Sequence, residues 1–94
     1  MKLRIVIIIS LMNLDRLPKE TRARIVAIEG GHGIQSRLAQ MGIHIGDHVS
    51  VDSRGAFRGP ILLAVHGAQV AIGRGVARRI VVEIAKGNNA GSSP

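Results

Sequence analysis

The stretch from Ile28 to Asp47, IEGGHGIQSRLAQMGIHIGD, holds the helical period that decides how the rest of the chain is read. Ile34, Leu38 and Met41 fall at i, i+4 and i+7, an apolar stripe, while Gln35, Ser36, Arg37 and Gln40 fill the other side. Leu38 and Met41 are expected in the core. Gly42 closes the helix and Gly46-Asp47 turns the chain again. The sequence on both sides of this one short helix reads as strand.

Working outward, Thr21 to Glu29 (TRARIVAIE) is rich in Ile, Val and Ala and ends at Gly30-Gly31. Arg22 and Arg24 share one side, with Ala23, Ile25 and Ala27 on the other. Downstream, Asp47 to Ser53 alternates, Val49 and Val51 facing in and His48, Ser50 and Asp52 facing out. The linker Arg54 to Gly59 and Pro60 lead to the strand Ile61 to His66, and Gly67-Ala68 predicts a hairpin into Gln69 to Ile72. Gly73 to Ala77 predicts a single 3₁₀ turn, and Arg79 to Ala85 the last strand, with Ile80, Val82 and Ile84 on one face. About five strands, one short helix and a 3₁₀ turn describe a small, mainly β, strongly bent antiparallel barrel.

The two ends of the chain stand apart. Residues 1–13 form an apolar extension after a basic start, too short to cross a bilayer as a helix, which needs about 20 apolar residues. They also lack the small-residue cleavage site of a secretory signal, because Asn13, Leu14, Asp15 and Arg16 follow. The extension is read as an extra strand over Ile5 to Ile9, or as a piece upstream of a native start at Met12. Left unpaired it is an aggregation hazard: β-branched, uncharged from Ile5 onward and free of Pro. Residues 14–85 form the barrel, and Lys86 to Pro94 (KGNNAGSSP) are expected to be disordered.

At 94 residues the chain fits one domain, which buries roughly 60–65% of the surface of its unfolded form. There is no cysteine, which excludes disulfides and thiolate chemistry. Lys and Arg outnumber Asp and Glu by 13 to 6, giving a net charge of +7 spread along the chain. Such a surface suits nucleic acid, an anionic membrane face or an acidic protein.

Gly30-Gly31-His32-Gly33 before a helix resembles a phosphate cradle, but Lys-Ser/Thr does not follow and Ser36 stands where a dinucleotide fingerprint needs glycine. These glycines are read as geometric, letting the chain pass from strand to helix in four residues. Four histidines raise the question of a metal. If the strands on either side of Arg54 to Gly59 pair, His48 and His66 sit opposite each other, with Asp52 about 13 Å further along. That makes two ligands for a weak Fe(II) or Zn(II) contact and no resident cofactor. No nucleophile elbow, zinc-protease motif or close carboxylate pair supports catalysis. One Phe with no Tyr or Trp disfavours proline-rich peptides and stacked single strands.

Three segments together resemble a known family: IVAIEGGHGIQSRLAQMGIHIGD from Ile25 to Asp47, the Gly59-Pro60 turn, and VHGAQVAIGRGVARRIVV from Val65 to Val82. In this order and spacing they are similar to ferrous iron transport protein A, the FeoA family, over roughly Leu14 to Ala85. The resemblance implies an SH3-like barrel, also found as the C-terminal domain of iron-dependent repressors, and a non-enzymatic accessory of ferrous iron uptake. It implies a cytoplasmic protein held at the inner face of the plasma membrane by its partner, the membrane ferrous iron transporter with a G-protein domain.

The surfaces expected to bind that partner are the helix face of Arg37 and Gln40 with the turn that follows, and a basic rim of Arg58, Arg74, Arg78 and Arg79. His48 and His66 remain the candidate metal contacts. A basic nucleic-acid-binding module and a metal-responsive regulatory domain are the alternatives, and self-association is left open.

Overall fold

Runs of Ile, Val and Ala at alternating positions favour extended backbone, and the computed structural model, which describes residues 6–88 and side-chain exposure for residues 9–84, folds them into one antiparallel sheet. Its strands are β1 (Val6–Asn13), β2 (Ala23–Ile28), β3 (His48–Arg54), β4 (Ile61–Val65), β5 (Ala68–Ile72) and β6 (Ile80–Asn88). Their spatial order is β1-β6-β2-β3-β4-β5, so the sheet is open, with β1 and β5 at its two ends. There is one strand more than the five expected for the barrel, because β1 pairs with β6 continuously from Val6↔Asn88 to Asn13↔Val81. The same pairing makes Lys86, Gly87 and Asn88 strand instead of tail. Residues 1–5 and 89–94 lie outside the described residues.

Two irregularities bend the sheet. The register slips between Ile25 and Ala27 of β2 against β6, and between Val51 and Ser53 of β3 against β4. An extra residue in one strand curves it and sharpens its twist. The sheet therefore folds around a single apolar cluster to which β2 to β6 and both helices all contribute, including Ile25, Leu38, Val51, Leu63, Ile72, Ala77 and Val82. Burying each of the larger of these side chains contributes about 1.5–3 kcal/mol.

Between β1 and β2, Leu14–Arg16 form a 3₁₀ turn that buries Leu14, and Leu17 is buried just after it. Arg54 at the end of β3 holds this segment, its Nη1 donating to the Asp15 carbonyl and its Nη2 to the Leu17 carbonyl.

The helix α1 (His32–Gln40) ends in two diagnostic bonds: Gly42 N–H donates to Ala39 O and Ile43 N–H to Leu38 O, both at 2.9 Å. This is the Schellman closure, and it requires the positive φ of Gly42, 81°. The closure corrects one expectation. Reversal of the chain at Gly42 swings Ile43 onto Leu38, both 1% exposed, and leaves Met41 37% exposed. Ile34 is partly buried against the core. The third core residue near the helix is thus Ile43 and not Met41.

The expected 3₁₀ turn after β5 is instead one α turn, α2 (Arg74–Ala77), with i→i+4 bonds from Ala77 N–H to Gly73 O and from Arg78 N–H to Arg74 O. It carries Ala77 into the core at 0% exposure. A further short turn lies at Ala56–Arg58, with Phe57 and Arg58 in left-handed backbone.

Candidate functional site

The helix α1 presents three faces. Ile34 and Leu38 point to the core. His32, Gln35, Ser36 and Ala39, spaced i, i+3, i+4 and i+7, line one wall of an open groove of about 300 Å³, and Ile28, Ile43, His44 and Ile45 line the other. Gly33, Arg37 and Gln40 make the outward face, all exposed.

The expected pair Arg37 and Gln40 therefore belongs to the helix ridge beside the groove and not to its wall. The groove floor is what the sequence reading missed. Ile45 is 52% exposed on an otherwise polar turn, and an apolar residue between His44 and Gly46 with no strand to bury it was the signal available.

The turn that carries Ile45 is stiff. Asp47 Oδ2 accepts from the His44 N–H at 2.7 Å, the Asp47 N–H donates to His44 O at 3.1 Å, and Gly46 N–H donates to Ile25 O at 2.7 Å. His66 Nε2 lies 3.1 Å from Asp47 Oδ1, and His44 Nδ1 lies 3.6 Å from Oδ2. Burial acts to raise the Asp47 carboxyl, yet the His44 N–H and the two imidazoles together hold it below the usual carboxylate value. This carboxylate thus joins the α1–β3 turn to the β4–β5 hairpin.

His66 is not on β4 as expected. It opens the two-residue hairpin turn with Gly67, both at positive φ (53° and 77°), as a type I′ turn requires. His48 shares with His66 and Asp47 an open pocket of about 540 Å³ that Glu20 and Arg22 also line. Among the described residues no group of three or more His, Cys, Asp or Glu side chains has a metal-holding arrangement.

The four arginines of the expected basic rim take different places. Arg78 and Arg79 are exposed and flank α2 together, and the Arg79 side chain lies over Gly30, just before α1. Arg74 is half-buried, its Nη2 donating to Gly55 O at 3.1 Å, so it braces the loop after β3. In that loop Gly55 has no room for a Cβ, which would fall 2.8 Å from Pro60 O. Gly55 N–H donates to Pro60 O and Gly59 N–H to Ala56 O, both at 2.9 Å. The closed loop displays Phe57 fully exposed at φ 54° and Arg58 exposed at φ 62°.

Among the described residues no charged or polar residue is buried, and no helix is long and apolar enough to cross a membrane. The arrangement offers a groove lined by apolar and polar side chains alike, beside an exposed ridge that carries Arg37 and Gln40.

A family model for the FeoA domain matches residues 12–84. The putative Fe(2+) transport protein A of Methanocaldococcus jannaschii is 41% identical over 59 residues, 63% of this chain and 70% of that protein. The crystal structure of an iron uptake regulatory protein (FeoA) superposes with a TM-score of 0.71 at 32% identity, covering 78% of this chain and 95% of the other. A manganese-dependent transcriptional repressor superposes with a TM-score of 0.70 at 23% identity, over 77% of this chain and 40% of its own, a likeness of fold alone.

Proposed function

Because this chain belongs to the FeoA domain family, we propose that it acts in Fe(2+) transport as a docking module on a membrane transporter's cytoplasmic G-protein domain and catalyses no reaction itself. The observation that carries this is the groove between α1 and the turn at Ile43 to Ile45, whose exposed Ile45 sits on a turn braced by Asp47. A stiff surface loses little conformational freedom on binding, and a few apolar anchors in such a patch supply most of the affinity. Arg37 and Gln40 on the adjoining ridge add polar contacts that fix orientation. Iron is cargo for the transporter in this reading, with no resident metal on this chain. The protein reaches the inner membrane face through its partner.

The test is binding of the purified chain to the isolated cytoplasmic G-protein domain of the ferrous iron transporter from the same cell, together with Fe(2+) uptake. Ile45→Asp and Arg37→Glu alter exposed residues and should keep the parent melting temperature. Ile45→Asp is expected to weaken binding by about tenfold or more, with a smaller loss for Arg37→Glu. Unchanged affinity and uptake in both variants would discard the groove as the docking face. Strong, salt-sensitive binding to duplex DNA in a gel shift would favour the nucleic-acid alternative instead.

A further inference from the structure

We propose that β1 is a self-association edge, along which a second copy of the chain adds its own β1 antiparallel about a twofold axis at Ser10. The starting point is where the sheet stops. β2 runs beside β6 only from Arg24↔Glu83 to Ile28↔Ile80, so beyond Glu83 the backbone of β6 has β1 alone for a neighbour. Val6 to Ser10 and Ile84 to Asn88 thus form a two-stranded ribbon running past the rest of the sheet. Most of it lies outside residues 12–84, the span that the FeoA domain model matches. A lone two-stranded ribbon is marginal in water.

The outer edge of β1 is unpaired among the described residues. The strand has none of the features that keep edges apart, since Ile5 to Asn13 contains no Lys, no Pro and no charge. It also shows apolar side chains to solvent. Ile9 and Leu11, two residues apart on one face, are 57% and 64% exposed, while Met12 on the other face packs against the core.

Three observations choose a second copy as the occupant. An antiparallel pairing centred on Ser10 sets Ile9 opposite the partner's Leu11 on both sides of the axis, so the pairs that flank the central Ser10 are apolar and each β1 satisfies the other. Secondly, the chain carries +7, and this uncharged strand lets two copies meet without opposing like charges. Thirdly, a lipid surface does not satisfy the open backbone edge, which needs a strand. The pairing is isologous and closes at two copies, because it consumes the free β1 edge of each. With eight residues a side against the roughly 20–30 of a standard interface, the dimer is expected to be reversible at micromolar concentrations.

Two measurements on the full chain test this. Sedimentation equilibrium should show a monomer–dimer equilibrium that the double variant Ile9→Lys, Leu11→Lys shifts to monomer, with the melting temperature unchanged at concentrations where the parent is also monomeric. The chain has no cysteine, so Ser10→Cys places a single thiol on the axis, where antiparallel partners lie about 4.5–5.5 Å apart at Cα, within the span of a disulfide. Mild oxidation should crosslink Ser10→Cys into a dimer much faster than Ala71→Cys, an exposed control on β5. A monomeric mass at 200 µM on the order of a hundredfold above micromolar affinity, a dimer unaffected by the two lysines, open-ended oligomers, or equal crosslinking of the two cysteines would each overturn it.

Discussion

The two ends of the sheet, β1 and β5, face the same physical problem and meet it differently. β5 has five residues against the eight of β1. Its exposed positions, Ala68, Gln69 and Ala71, are small or polar, and Gln69 Nε2 donates to Asp52 Oδ2 at 2.8 Å. A tight turn precedes it and α2 follows almost at once, so little edge remains to pair. β1 is long, uncharged and apolar on its outer face. An edge strand is kept solitary by brevity, charge or cover, and β5 has brevity where β1, among the described residues, has none of the three. The same sheet thus carries one finished edge and one open one.

The largest effect should come from the core beside the finished edge. Leu63 on β4 is fully buried and pairs across to Val70 of β5, so Leu63→Ala is expected to cost about 2–5 kcal/mol in chemical denaturation. Leu11→Ala on β1 should change monomer stability by less than about 0.5 kcal/mol, measured where the chain is monomeric. Similar costs at the two positions would erase the contrast.

Next in size is Arg54, whose guanidinium binds the carbonyls of Asp15 and Leu17 and so fastens the segment after β1 to the rest of the sheet. Arg54→Ala should cost about 1.5–3 kcal/mol, because two carbonyls lose charged donors. Arg54→Lys should recover little of it, since one ammonium cannot reproduce the two-pronged geometry. Full recovery by lysine would mean that charge alone suffices there.

The smallest effect is set by pH at the β5 end. The Asp47 carboxyl is held below its usual value of 3.8 against the opposing effect of burial, by the His44 N–H and by His66 and His44. A lowered carboxyl stabilises the fold above its unfolded value and loses that contribution as pH falls through the folded value. Asp47→Asn should therefore flatten the acid limb of a melting curve below about pH 4. It should also loosen the hairpin that leads into β5. An acid limb identical to the parent would show that the contact between His66 and Asp47 does not help hold that end.

Much of the fold was legible because it rests on local rules. Alternation placed Val49 and Val51 inside, glycines marked both ends of α1, and the Gly67 turn announced the hairpin. The misreadings have one cause in common. Met41 fits the helical period as well as any core residue, but the period ends where Gly42 reverses the chain, and Ile43 takes the place in the core. His66 slipped from strand to turn by one residue, which moved its imidazole onto Asp47. Of the residues named for the candidate site, Arg37, Gln40, Arg58, Arg78 and Arg79 lie exposed, whereas Arg74 braces a loop. The groove at Ile45 escaped because its walls come from β2, α1 and the turn after it, brought together only by the fold.

By itself the sequence determined the class of structure and the order of its elements, since both rest on periodicity and on residues with restricted backbone choices, while the family was legible through the resemblance of its motifs. Only the tertiary structure decided that the N-terminal run pairs with β6, that the sheet stays open, and that, among the described residues, the long edge of β1 is left unpaired. Strand pairing is the reason: a β-strand's hydrogen bonds are all made to another segment, so which edge remains free is a property of the assembled sheet and not of any one stretch of it.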